Sequence, residues 1–295
     1  MHEHIFGIVP PMTTPFTADG TIDEVALQAD AHYMFDVAKV HGVAICGSTG
    51  EGHTLTTAET RRITEIVVKE AKGRIPVITG IITDSTALAI ERGLAVKDLS
   101  VAALQITPPH YLFRPDDDTM LKHFEALAKG TGLPILIYNV VPWCYLSPQL
   151  LTRIIDNVEG VIGVKQSAGD MKMLADLLIL LGNRGRIMSA VDALMYPSFV
   201  LGSHGAIAAM LSAVPTLYME MWDAVQNGDH ARGRALHEKL LPLWNAIFTD
   251  NLPANVKYCM ELTGRPAGLP RPPMPPTSAE RKPLIRAALQ ATGLL

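Results

Sequence analysis

The chain has 295 residues, of which 48% are hydrophobic and 18% charged, so it can bury a large core and is not a disordered chain. This length suits one α/β barrel of about 200 to 250 residues with an appendage, or two ordinary domains. The formal net charge of −4 comes without basic runs, which excludes the cationic surface that nucleic acid binding requires, so we predict no nucleic acid partner.

Short apolar runs rich in β-branched residues alternate with segments of helical period from residue 5 to about residue 226. The predicted strands are 5–9, 42–46, 75–79, 101–106, 133–138, 160–165, 186–190 and 205–208. Helix-start chemistry lies between them, such as a capping box at Thr56 and Glu59 and the pair Ser147-Pro148. Eight apolar strands that alternate with helices predict an α/β fold, a (β/α)8 TIM barrel.

An open, doubly wound sheet is the alternative fold. That fold usually carries G-x-G-x-x-G after its first strand, whereas residues 10–16 read Pro-Pro-Met-Thr-Thr-Pro-Phe. Strand patterns stop after residue 226, and 230–248, 253–263 and 279–291 predict helices around a proline-rich loop at 265–276. We therefore predict a catalytic barrel over 1–226 and a C-terminal helical segment over 227–295.

The cysteines and the N-terminal residues bear on the compartment. Cys46, Cys144 and Cys259 form no C-x-x-C pair, which indicates free thiols in a reducing environment. The first residues lack a basic stretch followed by an apolar run, and no apolar run approaches the ~20 residues that span a bilayer. We expect a cytoplasmic protein that is neither exported nor embedded in a membrane.

Lys165 ends the sixth predicted strand, and active sites of barrels lie at the C-terminal ends of the strands. The apolar residues before it would place its amine in the mouth of the barrel. Removal of an ammonium group from water favours the neutral amine, which can attack a carbonyl carbon and form a Schiff base. The alternatives are a lysine paired with a carboxylate and a lysine that extends into solvent.

A glycine-rich stretch, Gly47-Ser48-Thr49-Gly50, follows the second predicted strand. Its hydroxyls and backbone N–H groups suit the binding of a carboxylate, so we expect Gly47, Ser48 and Thr49 to bind substrate. It lacks the lysine of a nucleotide-binding loop, and a plain glycine-rich turn is the alternative. Glu51 is predicted to be a structural carboxylate that holds this loop in place.

Two phenols and an indole follow neighbouring strands. Tyr138 ends the fifth predicted strand and would lie near Lys165 as a general acid and base, unless it is an ordinary core or rim tyrosine. Tyr111 follows the fourth strand at the same end of the barrel. Trp143 follows the fifth strand, where it either lines the pocket or only packs. A pocket wall formed by Trp143 would favour a substrate tail of little charge.

The histidines form no metal-binding pattern. His2 and His4 lie at the terminus, His53 and His110 lie on loops, and no H-x-x-x-H or carboxylate triad groups them. We therefore predict no metal and no cofactor beyond the lysine itself.

Six motifs together resemble the dihydrodipicolinate synthase and N-acetylneuraminate lyase superfamily of class I, pyruvate-type aldolases. The resemblance covers essentially the whole chain. The motifs are Thr14-Pro15-Phe16, Gly47-Ser48-Thr49-Gly50-Glu51, Thr107-Pro108-Pro109-His110-Tyr111, Tyr138-Asn139, Gly163-Val164-Lys165 and Leu201-Gly202-Ser203-His204-Gly205-Ala206-Ile207. It implies a (β/α)8 barrel with C-terminal helices, assembled as a homodimer or homotetramer, and a lyase that acts on a 2-oxo acid such as pyruvate.

The resemblance also implies roles for the central residues. Lys165 would form an imine with the 2-oxo acid, Ser48 and Thr49 would hold its carboxylate, and Tyr138 would relay protons. Tyr111, from the neighbouring subunit, would complete the relay through Ser48.

Two further residues gain roles from the resemblance alone. Ile207 would lie against the oxo acid through its backbone. Asp192 falls where sugar-acid lyases place a residue that contacts the polyol tail.

The sequence departs from true dihydrodipicolinate synthases in one place. In those enzymes the Tyr-Asn-Val-Pro segment is followed within two residues by an arginine that binds the second carboxylate. Residues 138–145 read Tyr-Asn-Val-Val-Pro-Trp-Cys-Tyr, with an extra residue and no arginine. Loss of a bidentate guanidinium contact should weaken binding of aspartate semialdehyde, and Arg114 is a candidate substitute.

Three hypotheses follow. The first is a Schiff-base aldolase or dehydratase that acts on pyruvate or a pyruvate-derived sugar acid. The second is 4-hydroxy-tetrahydrodipicolinate synthase, which condenses pyruvate with aspartate semialdehyde. The third is a barrel without catalytic activity that binds a ligand, against which the presence of both Lys165 and Tyr138 argues.

Overall fold

A computed structural model describes residues 4–249 and 251–295. Eight parallel strands form one sheet in the order β1-β8-β7-β6-β5-β4-β3-β2. The strands are β1 (Gly7–Ile8), β2 (Val43–Ile45), β3 (Val77–Ile81), β4 (Ala103–Ile106), β5 (Ile135–Asn139), β6 (Val161–Gln166), β7 (Arg186–Ser189) and β8 (Gly205–Ala206). Each overlaps a predicted strand.

The sheet closes into a barrel where the residues just after β1 pair with strand β2. Met12 N–H donates to the Ala44 carbonyl over 2.8 Å, and Ala44 N–H donates to the Pro10 carbonyl over 2.9 Å. Pro10 and Pro11 have no N–H group, which keeps this seam short and explains why β1 is shorter than the predicted 5–9. The predicted (β/α)8 barrel is confirmed, and the open sheet is wrong.

Helices follow the strands and cover the outside of the barrel. They are α1 (Glu24–His32), α2 (Thr57–Ala71), α3 (Thr86–Leu94), α4 (Asp117–Thr131), α5 (Pro148–Asn157), α6 (Met171–Leu181), α7 (Met195–Val200), α8 (Ala209–Ala213) and α9 (Pro215–Gln226). The capping box of Thr56 and Glu59 is present, and Ser147 caps α5 by accepting from Leu150 N–H. The predicted helix starts are therefore confirmed.

The third strand lies two residues beyond its predicted position. The sequence predicts 75–79, whereas β3 spans Val77–Ile81. Gly80, just beyond the predicted end, lies within the strand and pairs with Gln105 of β4. A Cβ atom at Gly80 would lie 2.6 Å from the Cys46 carbonyl oxygen, so this glycine permits close approach of the second strand's end to β3.

The interior of the barrel is filled by apolar side chains from all eight strand regions. This buried set consists of Ile5, Val9, Ala44, Ile78, Ala103, Leu136, Ile162, Met188 and Ile207. Toward the C-terminal strand ends the filling changes to the polar side chains of Tyr138 and Lys165, which remain buried. The barrel thus provides a packed floor beneath a polar mouth.

Three helices follow the barrel: α10 (His230–Ile247), α11 (Leu252–Leu262) and α12 (Arg281–Ala291). Helix α10 packs against α9 and α12. The loop after α11 returns to the barrel, where Leu269 exchanges two backbone hydrogen bonds with Phe16. All three cysteines are buried free thiols. No helix of the described chain combines the length and hydropathy needed to cross a bilayer.

Candidate active site

A cavity of about 470 Å³ opens at the C-terminal ends of the strands, the end at which barrel enzymes place their chemistry. Barrel residues and residues of α10 and α11 line it together. The lining residues are Ser48, Thr49, Tyr138, Val140, Lys165, Ser167, Gly169, Ala190, Val191, Asp192, Ala193, Ile207, Ala208, Ala209, Trp244, Phe248, Leu252 and Pro253.

Lys165 and Tyr138 are register partners on the adjacent strands β6 and β5. The Lys165 Nζ atom lies 3.8 Å from the centre of the Tyr138 ring, and the two residues are only 3% and 4% exposed. Within the described chain Lys165 forms no ion pair. The amine is therefore buried, lines the cavity and lacks a paired carboxylate, which argues against both alternatives for this lysine.

A hydrogen bond joins the phenol to the glycine-rich loop. Tyr138 O–H donates to Ser48 Oγ over 3.1 Å, and Thr49 lines the same cavity while only 6% exposed. The loop turns back on itself because Glu51 N–H donates to the Ser48 carbonyl over 3.0 Å and Gly52 N–H to the Gly47 carbonyl over 2.9 Å. This turn holds the two hydroxyls beside the phenol.

Glu51 anchors this turn to the C-terminal segment. Its backbone is left-handed, with a φ of 55°, a conformation that costs free energy for a residue other than glycine. Its buried carboxylate accepts from Lys257 Nζ over 2.6 Å and from Arg271 N–H over 2.8 Å. Lys257 also donates to the Leu269 carbonyl over 2.7 Å. The structural role predicted for Glu51 is confirmed.

Asp192 is the acidic residue of the cavity. Burial raises the pKa of its carboxyl to about 6, although the hydrogen bond from Met210 N–H and the charge of Lys165 oppose that rise. The Met210 N–H donates to Asp192 Oδ1 over 2.6 Å. Near neutral pH the cavity thus holds an aspartate whose charge is poorly solvated.

The structure brings six of the nine predicted site residues together. Lys165, Tyr138, Ser48, Thr49, Ile207 and Asp192 all line the cavity. Gly47 precedes this set on the turn without lining the cavity itself.

Tyr111 and Trp143 lie outside the cavity of this chain and are 71% and 68% exposed. Trp143 Nε1 donates to the His110 carbonyl over 2.7 Å, so the indole packs on the loop that follows β4. Arg114, the candidate substitute for the missing arginine, is held by Asp117 at 2.7 Å and does not line the cavity.

Sequence reasoning missed the aromatic residues of α10 that line the cavity. Trp244 and Phe248 stack with their ring centres 4.7 Å apart and their planes at 28°. Their i, i+4 spacing places them on one face of a helix. That spacing is visible in the sequence, but nothing local indicates that α10 returns over the barrel mouth.

No group of three or more potential metal-ligating His, Cys, Asp or Glu side chains occurs in residues 4–249 and 251–295. His53 lies in a short 3-10 turn (Gly52–Thr54) beside the glycine-rich stretch, His110 lies on the loop after β4, and His2 lies outside the described residues.

A buried lysine on a barrel strand, with a phenol and two hydroxyls around it, defines a site of the class I aldolase type. The sequence model of the dihydrodipicolinate synthetase family matches residues 4–292. The chain belongs to this family and is a lyase of the Schiff-base-forming class.

Individual relatives agree with this assignment. The chain is 35% identical over 294 residues to the 4-hydroxy-tetrahydrodipicolinate synthase of Methanopyrus kandleri, covering 99% of this chain and 97% of that protein. It is similar to YagE, a prophage protein of the dihydrodipicolinic acid synthase family from E. coli K12 in complex with pyruvate, with a TM-score of 0.94, 25% identity and 99% of each chain covered. It is also similar to the N-acetylneuraminate lyase of Fusobacterium nucleatum, with a TM-score of 0.89, 26% identity and coverage of 97% and 98%.

Proposed function

We propose that this protein is a Schiff-base aldolase or dehydratase that binds pyruvate, or a longer 2-oxo acid derived from it, covalently at Lys165. The main observation in support of this proposal is the buried Lys165 amine, whose Nζ atom lies 3.8 Å from the centre of the Tyr138 ring. The amine attacks the C2 carbonyl carbon and an imine forms with loss of water. The protonated imine then withdraws electrons, which allows C3 to lose a proton and become a nucleophile.

The surrounding residues supply carboxylate binding and proton transfer in this proposal. Ser48 and Thr49 hold the substrate carboxylate, with Gly47 allowing the turn, and the backbone of Ile207 contacts the oxo acid. Tyr138, hydrogen-bonded to Ser48 over 3.1 Å, moves protons to and from the oxygen that leaves as water. No separate cofactor is needed, because the lysine itself carries the electron sink.

Reductive trapping tests the proposal. Borohydride treatment in the presence of pyruvate is expected to fix one pyruvate on Lys165, located by peptide mass spectrometry. Borohydride without pyruvate is the control. Absence of an adduct on Lys165 with pyruvate and with longer 2-oxo acids would contradict the mechanism.

Tyr138→Phe is expected to lower kcat by about 10²-fold or more while the protein stays folded, because a positioned general acid and base contributes about 10² to 10⁴-fold. Steady-state kinetics and circular dichroism measure the two effects. Tyr196→Phe is the matched control, since Tyr196 on α7 packs against His230 and His237 and does not line the cavity. Unchanged turnover in Tyr138→Phe would remove this residue from the relay.

The names of relatives such as the Methanopyrus kandleri protein support 4-hydroxy-tetrahydrodipicolinate synthase as a second candidate. That reaction requires binding of aspartate semialdehyde. Its carboxylate would meet no arginine among the described residues that line the cavity. Turnover of pyruvate with aspartate semialdehyde far faster than with any other aldehyde would favour this candidate.

We further propose that the protein assembles as a homodimer or homotetramer in the cytoplasm. Tyr111, Leu112, Phe113 and Trp143 expose large apolar side chains on neighbouring loops, and a second copy of the chain would cover them and bring Tyr111 to the partner's Ser48. Sedimentation velocity tests the assembly, and a fully active monomer would contradict it. In this proposal residues 1–226 form the catalytic barrel, and the helical segment 227–295 completes the cavity.

A further inference from the structure

The lining of the cavity identifies its second substrate, an inference that rests on the proposed function. We propose that the nucleophile formed on Lys165 is condensed with an uncharged aldehyde that has an aromatic body, stacked against Trp244 and Phe248. In this proposal Trp244 and Phe248 determine which aldehyde is accepted, whereas Lys165 and Tyr138 perform the chemistry.

The cavity contains exposed aromatic surface. Phe248 is 60% exposed and Trp244 is half-buried, yet both line the cavity that contains Lys165. Leu252 and Pro253 extend this apolar wall at the start of α11. A flat apolar ligand removes such surface from water, and offset stacking on an existing ring pair adds to the attraction.

The ionisable side chains of the cavity disfavour a charged second substrate. Among the described residues of the lining, Lys165 is the single basic side chain and Asp192 the single acidic one. Loss of the C3 proton turns the protonated imine on Lys165 into a neutral enamine, so a second substrate carboxylate would then have no cation to pair with and would share the cavity with Asp192. A buried carboxylate without a partner is costly, which disfavours acidic aldehydes.

The cavity has few hydrogen-bonding side chains for a polyol. A sugar aldehyde needs several hydrogen-bonding side chains for its hydroxyl groups. In this proposal Ser48 and Thr49 bind the pyruvate carboxylate, and Tyr138 and Lys165 take part in the chemistry. The polar side chains of the described lining that are left for a sugar are those of Ser167 and Asp192, among a majority of apolar residues. A buried hydroxyl without a hydrogen-bond partner loses more than it gains, so an aromatic body fits this wall better than a polyol.

The reaction balances without an oxidant, a reductant or a metal. Pyruvate and the Lys165 amine form the imine and release one water, and C3 loses a proton to give the enamine. Enamine C3 then attacks the aldehyde carbon, a C–C bond forms, and the aldehyde oxygen takes up a proton. Hydrolysis of the imine consumes one water, frees Lys165 and releases a 4-hydroxy-2-oxo acid.

The test compares three aldehydes with pyruvate on the full-length protein: benzaldehyde, glyceraldehyde and aspartate semialdehyde. We expect kcat/KM to be highest for benzaldehyde. The double variant Trp244→Ala/Phe248→Ala should lower kcat/KM for benzaldehyde by roughly ten- to hundred-fold, the scale on which apolar pockets discriminate. Ile179→Ala, an 82% exposed apolar residue on α6, is the matched control and should change nothing.

Two further variants sharpen the test. Trp244→Phe/Phe248→Leu keeps an apolar wall and should recover much of the activity with benzaldehyde. Phe248→Arg supplies the missing cation and should raise the preference for aspartate semialdehyde over benzaldehyde at least ten-fold relative to the unmodified protein.

The outcomes separate this inference from the proposed function. An adduct of pyruvate on Lys165 together with no turnover of benzaldehyde overturns the inference and leaves the Schiff-base mechanism intact. Failure to trap pyruvate at all overturns the mechanism itself. Highest kcat/KM with glyceraldehyde or aspartate semialdehyde, or a double variant that handles benzaldehyde normally, also overturns the inference.

Discussion

Lys165→Ala should abolish turnover, with a loss on the order of 10⁴-fold or more, the scale found when a covalent nucleophile is removed. No other lysine lines the cavity among the described residues, so no neighbouring amine can replace it. Steady-state kinetics measures the loss. Mass spectrometry after borohydride treatment with pyruvate should find no adduct in the cavity.

A surface lysine provides the control for this experiment. Lys172, whose side chain is 78% exposed and pairs with Asp176, should tolerate replacement by alanine without change in kcat. Lys165→Met distinguishes loss of the catalytic amine from loss of folding stability, because methionine fills similar space without a charge to desolvate. It should be inactive while its free energy of unfolding is no lower than that of the unmodified protein. Residual trapping of pyruvate in the cavity of either Lys165 variant would contradict its role.

The barrel could be predicted well from the sequence because the patterns that indicate strands and helix starts are local. Short apolar strands and capping residues such as Thr56 and Ser147 depend on neighbours within one turn. Errors arose where a single residue acts through a distant contact. The third strand extends past its predicted end through Gly80, where a Cβ atom would lie only 2.6 Å from the Cys46 carbonyl oxygen, so glycine permits this contact with the end of the second strand.

Part of the candidate site was also predictable, because it lies at the ends of the predicted strands. Parallel neighbouring strands place their ends together, which brings Tyr138 to Lys165 in register. The aromatic wall was not predictable, because Trp244 joins the cavity only when α10 folds back over the barrel. The position of Trp143 depends on the direction of its loop, which a hydrogen bond to the His110 carbonyl fixes.

The partner of Glu51 is also a long-range feature, since Lys257 lies 206 positions away. The two side chains are 3% and 2% exposed and 2.6 Å apart. Burial lowers the pKa of the Lys257 amine, and the adjacent Glu51 carboxylate opposes this change. Because Glu51 follows Ser48 and Thr49 on one turn, this ion pair connects the C-terminal segment to the proposed carboxylate-binding hydroxyls.

Lys257→Met should therefore lower the free energy of unfolding by about 3 to 5 kcal/mol, because it leaves the Glu51 carboxylate buried without its cation. Urea unfolding at pH 7 measures the change. The double variant Glu51→Gln/Lys257→Met removes both charges and should recover much of the loss. Arg232→Met, which breaks an exposed ion pair with Glu220, is the matched control and should cost less than about 1 kcal/mol.

The same variants show whether the ion pair positions the turn as well as stabilising the fold. In the absence of urea, at a temperature where Lys257→Met remains folded, KM for pyruvate should rise. The reason is that the turn carrying Ser48 and Thr49 loses the ion pair that fixes its backbone. The Glu51–Lys257 pair acts on the residues proposed to bind the substrate carboxylate and not on Lys165 or Tyr138. The pH profile of kcat should therefore keep its shape. A single variant as stable as the control, or a double variant no more stable than the single one, would contradict a buried charge pair at this position. Normal KM in a destabilised Lys257→Met would restrict the pair to a role in folding.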